Sequence, residues 1–258
     1  MSEINADNHP LAESAVHGVI VAPVRSGGTF LAHCLSNHPH VFCDRGEPLR
    51  VLSNWRPYAQ LDPARLLDVL TNQTGYRASL CKLTYDQAFR EDIWTWVQER
   101  IPRVIWLVRE NLLRQAISQA INRKVRLHSL QRAQHSFEPV PIEPVRVLPQ
   151  TLMRYIAHFG RQNYAARTRL ATLPRVLRVT YEEITANPEG ADQATGLAES
   201  AGVEICQFLG VAYVPMPTSL VRIHPGPLSA LLSNWEEVRD ALLQSRYADL
   251  ARGERWTS

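Results

Sequence analysis

The sequence predicts one α/β domain, with a mostly parallel sheet of about five strands, helices on both faces and a P-loop-like first turn. Short apolar runs with the length of strands alternate with longer segments of helical period. The first run is followed by a glycine-rich turn and a helix start. A chain of 258 residues with 45% hydrophobic residues suits a single sizeable domain. We expect this domain to span 16–258, after a polar, disordered tail at 1–15.

The turn after the first apolar run is predicted to cradle an anion. It reads RSGGT at 25–29, and its glycines allow backbone N–H groups to approach an oxyanion at the positive end of the following helix. Ser26 and Thr29 add hydroxyl donors, and Arg25 brings a cationic fork suited to phosphate or sulfate. No lysine follows Gly28, which separates this loop from the ATP-binding loop.

The remaining strands and helices alternate along the chain. Periodicity and flanking residues predict strands at 41–43, 78–83, 103–108 and 175–180, and helices that start at Asp62-Pro63 and cover 86–100, 110–122 and 150–173. Parallel strands of this kind present their ligand-facing loops at their carboxyl ends.

Two charged residues, one just after the second predicted strand and one within the third, are candidates for the site. Glu47 follows a glycine and precedes a proline just after a strand, where ligand-facing loops lie. Lys82 lies inside an apolar strand, and a buried lysine is costly unless it is paired. A bound anion would supply that pair, although an ordinary edge lysine is the alternative.

The fourth strand and the helix after it carry two further polar residues. Arg109 ends the strand and Ser118 lies beside the apolar stripe of the helix that follows.

Further on, the segment 123–150 begins with a basic run and continues with four prolines in a stretch without helical or strand period. Long loops in compact domains usually bind ligands or cover sites, so we expect 123–150 to form a loop on the acceptor side.

These segments resemble PAPS-dependent sulfotransferases (PAPS is 3′-phosphoadenosine 5′-phosphosulfate), of the bacterial type and the tyrosylprotein/carbohydrate branch. In the family's 5′-phosphosulfate loop Arg-Ser-Gly-Thr-Thr precedes a helix, and Gly28 replaces the first threonine here. SNHPHVFCDRGEP is similar to the segment that carries the family's glutamate. IWLVRENLLRQAISQAI resembles the 3′-phosphate site, and VTYEEI with ICQFLGV resembles the downstream signature.

The resemblance implies transfer of a sulfuryl group from PAPS to a hydroxyl of a carbohydrate, lipid or small molecule, which leaves 3′,5′-diphosphoadenosine. It implies Glu47 as the general base and assigns Lys82 and Arg25 to the charge on the leaving oxygen. The nucleotide would be bound by Arg25, Ser26, Gly27, Gly28, Thr29, Phe30, Arg109, Ser118, Tyr181 and Arg222. A P-loop nucleotide kinase and a non-catalytic nucleotide-binding module remain alternatives, and His33, His38 and His40 are rival bases.

The composition of the chain indicates which kinds of ligand and surroundings suit the protein. A net charge of +3 and a pI of about 8.8 are too mild to indicate nucleic acid binding, but they suit an enzyme with anionic ligands. Cysteines without a C-x-x-C pair predict buried, reduced thiols and a cytoplasmic setting. The scattered histidines predict no metal site, and no run reaches the length of a membrane span.

Overall fold

The computed structural model describes residues 15–49, 62–128, 143–186, 196–220 and 226–252. Its strands are β1 (Val16–Ala22), β2 (Val41–Cys43), β3 (Ala78–Thr84), β4 (Arg103–Val108) and β5 (Val176–Thr180). Its helices are α1 (Gly28–Leu35), α2 (Pro63–Thr71), α3 (Tyr85–Ala88), α4 (Glu91–Arg100), α5 (Leu112–His128), α6 (Pro149–Leu170), α7 (Tyr181–Ile184), α8 (Glu199–Leu209), α9 (Leu228–Leu231), α10 (Trp235–Leu243) and α11 (Ala248–Arg252).

The five strands form one sheet in the order β2-β3-β1-β4-β5, and each neighbouring pair is parallel. The central strand β1 aligns Ile20 with Lys82 of β3 on one side and with Ile105 of β4 on the other. The fold class predicted from the sequence is therefore confirmed.

Helices cover both faces of the sheet, which explains why its strands read as continuous apolar runs. One face packs against α1 and α8. The opposite face packs against α2, α3, α4 and the end of α6. A third apolar cluster joins α5 and α6 to α9, α10 and α11.

Two predicted boundaries were wrong. The helix expected over 86–100 is divided into α3 and α4, because Arg90 between them takes an extended backbone conformation, with φ of −64° and ψ of 142°. The helix expected to end at 122 continues as α5 to His128. Residues 123–128 of the acceptor-side loop predicted at 123–150 therefore belong to α5, and α6 begins at Pro149. Residues 129–142 of that predicted loop lie outside the described residues, as does the tail through residue 14.

The order of the strands determines where a ligand can bind. The chain passes from β1 to β2 and β3 on one side of the sheet, then crosses β1 to reach β4 and β5. The loop after β1 thus lies where the direction of winding changes, and in open α/β sheets ligands bind at the carboxyl edge at such a point.

Candidate functional site

All five strands deliver a predicted site residue to the carboxyl edge of the sheet. The β1 loop carries the glycines, Glu47 follows β2, and Lys82 lies near the end of β3. Arg109 follows β4 directly, and Tyr181 begins the helix after β5. The arrangement concentrates residues that are far apart in the sequence.

The β1 loop is held in shape from two directions. Ser26 is fully buried, and its hydroxyl donates to the Pro23 carbonyl at 2.7 Å. Gln115 of α5 is also fully buried, and its Nε2 donates to the Val24 carbonyl at 2.8 Å. Arg25 takes a left-handed backbone conformation, with φ of 64°, a strained geometry that persists only where the surroundings impose it.

The loop leaves the amino end of α1 open to a ligand. Gly27 precedes this helix and no side chain of the described residues caps it. Intrahelical bonding begins where Leu31 donates to the Gly27 carbonyl at 3.0 Å, so the N–H groups before it have no partner within the helix. Together with the helix dipole they favour an oxyanion.

Gly27 also permits a close stack of side chains. Its φ is 87°, and a Cβ there would lie 2.5 Å from Cδ2 of Tyr181. The guanidinium of Arg109 stacks on the other side chain of this contact: its Cζ lies 4.3 Å from the centroid of the Tyr181 ring. This stack brings the residues that follow β4 and β5 into contact with the glycine loop, and it positions the charge of Arg109 beside that loop.

We expect Gly27→Ala to destabilise the protein by roughly 1–3 kcal/mol, because the left-handed backbone and the Tyr181 contact both oppose a side chain. Thermal unfolding would measure this loss. Gly160→Ala is the matched control, because its Cβ would meet only Leu112 Cδ1, at 3.9 Å. Equal unfolding temperatures for the two variants would contradict the role given to Gly27.

Arg25, Arg109 and Ser118 form one cationic cluster. Nε of Arg25 donates to Oγ of Ser118 at 3.0 Å, and Nη1 of Arg109 donates to the Arg25 carbonyl at 3.3 Å. The sequence predicted that Arg109 and Ser118 act together, and in the structure Arg25 connects them. Two guanidinium groups and a hydroxyl within one cluster are suited to a phosphate.

A second cluster joins Lys82, Thr29 and Glu47. Lys82 is only 4% exposed, and its Nζ donates to Oγ1 of Thr29 at 2.8 Å. The same Nζ lies 3.6 Å from Oε1 of Glu47. Because side chains alternate along a strand, Lys82 faces the same layer as Leu80, which packs against α1. The strand therefore projects an ammonium group at the first turn of α1.

Burial has opposite effects on the charges here. It lowers the pKa of Lys82, and the neighbouring Glu47 carboxylate raises that pKa in part. Burial raises the pKa of Asp44, which accepts the Gly46 N–H at 3.2 Å and so shapes the turn that leads to Glu47. An anion bound next to Lys82 would therefore stabilise the charged form of this lysine.

The histidines near the site differ in their availability as bases. His38 accepts the His40 N–H on Nδ1 at 3.1 Å, and its Nε2 lies 2.9 Å from the Ala212 carbonyl. Both ring nitrogens are therefore occupied, and His40 is exposed on the surface. Burial, followed by the charge of Arg45, lowers the pKa of His33, whose Nδ1 is 3.0 Å from the Thr218 hydroxyl. His33 is the remaining rival to Glu47.

The structure does not bring every predicted residue into these clusters. Phe30 packs against the core layer beneath α1, and the hydroxyl of Ser26 donates to the Pro23 carbonyl within the loop. Arg222 lies outside the described residues. Gln115 was missed, although it precedes Ser118 by one helical turn and interrupts an apolar stripe with a buried amide.

Three further features of the described residues concern the cysteines, metal binding and membrane-spanning helices. The four cysteines are buried free thiols, and burial raises the pKa of Cys34 to about 12. Within the described ranges no group of three or more His, Cys, Asp and Glu side chains is arranged to hold a metal ion. None of the described helices combines the length and apolar character needed to cross a membrane.

No protein-family model matches this sequence, and no curated protein matches it. Solved structures with a similar fold include a sulfotransferase from Alicyclobacillus acidocaldarius (15% identity, 92% of this chain and 93% of that chain, TM-score 0.49). The sulfotransferase domain from the curacin biosynthetic pathway is 14% identical, with 95% and 93% covered and the same TM-score of 0.49. The sulfotransferase domain from the Synechococcus PCC 7002 olefin synthase is 15% identical, with 97% and 92% covered and again a TM-score of 0.49.

All three bear the name of the family that the sequence motifs resemble. Identities near 15% and TM-scores of 0.49 are too low to transfer a function. The function of this chain is therefore inferred from its own side chains.

Proposed function

We propose that the protein transfers a sulfuryl group from PAPS to a hydroxyl oxygen of an acceptor. One observation carries the proposal: the buried ammonium of Lys82 lies between Thr29, 2.8 Å away, and Glu47, 3.6 Å away, at the open end of α1. A carboxylate and an ammonium beside an anion cradle are the groups that an in-line transfer between two oxygens requires.

The residues present fit a donor with two separate anionic groups. The glycine loop, with the amino end of α1, suits a 5′-phosphosulfate, and Arg109 and Ser118, which Arg25 connects, suit a 3′-phosphate. Gly27 fits this assignment, because a Cβ there would meet Tyr181 and fill the cradle. PAPS supplies an activated sulfuryl group and, once that group is transferred, departs as 3′,5′-diphosphoadenosine.

Each reacting residue then has a defined task. Glu47 takes the proton from the acceptor hydroxyl as the new oxygen–sulfur bond forms. Lys82 and Arg25 stabilise the negative charge that grows on the departing phosphate oxygen as the old sulfur–oxygen bond breaks. Thr29 holds the Lys82 ammonium in place and keeps its own hydroxyl hydrogen available to the cradle.

Two alternatives have different requirements. A P-loop nucleotide kinase would use a lysine directly after the loop glycines, where this chain has Thr29 and brings its ammonium from β3 instead. A non-catalytic nucleotide-binding module would have no use for a carboxylate next to that ammonium. Binding of ATP in preference to 3′,5′-diphosphoadenosine would favour the kinase.

The experiment that tests the proposal is acceptor profiling with ³⁵S-labelled PAPS over a library of carbohydrate, lipid, phenol and small-molecule hydroxyls. We expect label transfer to at least one hydroxyl class, and a rate of transfer at least about a hundredfold lower for Glu47→Gln under the same conditions. Tight binding of the nucleotide without transfer to any class would favour the non-catalytic module.

We expect Arg109→Ala to weaken binding of 3′,5′-diphosphoadenosine by roughly 1.5–3 kcal/mol, because a charge-assisted contact is lost. Isothermal titration calorimetry measures this. Arg146→Ala is the control, since Arg146 pairs with Glu237 on the surface, at 2.9 Å. A loss of the same size in both variants would show that net charge, and not the position of Arg109, governs binding.

A further inference from the structure

Gly28 and Lys82 are in unusually close contact. A Cβ placed on Gly28 would lie 2.9 Å from Cδ and 3.7 Å from Cγ of Lys82, and real Cβ contacts essentially never fall under 3.0 Å. The methylene stem of the lysine therefore fills the space that any side chain at this position would need.

The backbone gives no other reason for glycine here. Gly28 is the first residue of α1, and its φ lies outside the left-handed region that restricts Gly27. Alanine is intrinsically favoured over glycine in a helix. The contact with Lys82 is thus the structural feature that distinguishes glycine from alanine at this position.

We propose that Gly28 is a positioning residue for Lys82: it leaves room for the stem to cross the loop, so that the ammonium reaches both Thr29 and Glu47. A side chain at Gly28 moves the stem, because the colliding atom belongs to a flexible side chain and can yield. The ammonium then leaves the place defined by its 2.8 Å and 3.6 Å contacts. The effect on turnover rests on the proposed function, whereas the movement of Lys82 does not.

The composition of the chain allows that movement to be measured directly. Lys82 and Lys124 are the only two lysines in the sequence, and Lys124 lies on α5, where its Nζ donates to the Arg146 carbonyl. Pulsed acetic anhydride labelling with peptide mass spectrometry then reports the reactivity of Lys82, with Lys124 as the internal standard.

In Gly28→Ala we expect the Lys82-to-Lys124 labelling ratio to change by at least about threefold, since both the exposure and the pKa of a buried lysine depend on its position. Gly160→Ala is the control and should match the wild type, because its Cβ would make only an ordinary contact at 3.9 Å. An unchanged ratio in Gly28→Ala would overturn the proposal, whether or not the protein transfers sulfuryl groups.

Turnover provides the second readout. Gly28→Ala should lower kcat by about tenfold to a hundredfold, because small displacements of a catalytic group are costly. Its affinity for 3′,5′-diphosphoadenosine should stay close to the wild-type value, because the Gly28 N–H is retained. In a Lys82→Ala background the same change should have almost no further effect.

The double mutant separates the remaining explanations. If Gly28→Ala lowers kcat by the same factor with and without the Lys82 side chain, Gly28 acts through the loop itself and the proposal is wrong. If labelling changes but the wild-type protein transfers no sulfuryl group, Gly28 still positions Lys82 and the proposed function is what fails.

Discussion

Glu47→Gln is expected to lower kcat by about a hundredfold to ten-thousandfold, the usual contribution of a general base. The amide keeps the shape of the side chain but cannot accept the acceptor proton. Affinity for 3′,5′-diphosphoadenosine should be nearly unchanged, because Glu47 lies on the acceptor side of Lys82 in the proposed mechanism. Steady-state kinetics with PAPS, together with calorimetry, separates the two effects.

Two further variants make this result specific. Glu236→Gln is the control, since Glu236 pairs with Arg239 on the surface of α10, at 2.7 Å, and should keep full turnover. His33→Asn tests the rival base, because burial lowers the pKa of His33 and so favours the neutral ring, which can accept a proton. Near-full turnover in Glu47→Gln and none in His33→Asn would assign the base to His33.

Lys82→Ala is expected to lower kcat by about a hundredfold to a thousandfold, as loss of one oxyanion-stabilising group does elsewhere. The KM for PAPS should change little, because the charge of Lys82 matters most when the leaving oxygen becomes negative. Lys124→Ala, which removes the other lysine of the chain, should leave both constants unchanged. A Lys82→Ala variant with raised KM and normal kcat would make Lys82 a ground-state binder.

The unfolding temperature of the protein independently tests how much Lys82 contributes to folding. Burial lowers the pKa of Lys82, so folding disfavours its charged form. Lys82→Met keeps the volume and removes that cost, and the Glu47 carboxylate that it leaves behind is partly open to water, with 24% of its side chain exposed. The unfolding temperature should therefore stay close to that of the wild type. A marked loss of stability in Lys82→Met would show that the pair of Lys82 with Glu47 contributes to folding.

The sheet and its helices could be predicted from the sequence because their physical cause is local. Strands covered on both faces are apolar throughout, and residues 104–108 have this pattern in the sequence and are buried in the sheet. The boundary after 122 could not be predicted in the same way. The basic residues Arg123 and Lys124 ended the apolar stripe, yet α5 continues to His128, because straight-chain basic residues are themselves good helix formers.

The clusters of the site depended on tertiary contacts that spacing does not reveal. Arg25 and Ser118 are separated by 93 residues and meet at 3.0 Å, which only the parallel pairing of β1 with β4 explains. The sequence predicts that Lys82 is a buried lysine that needs a partner, but its contact with Gly28 arises from the packing of β3 against α1. Gln115 was hidden for the same reason, since its partner is a loop carbonyl.

Calorimetry of 3′,5′-diphosphoadenosine against AMP tests most directly whether this cradle accepts a PAPS-like donor. If Arg109 and Ser118 hold a 3′-phosphate, the diphosphate should bind at least about tenfold more tightly, which corresponds to one charge-assisted contact. Arg109→Ala should remove most of this preference while affinity for AMP changes little. Equal affinities of the wild-type protein for the two nucleotides would contradict the proposed function.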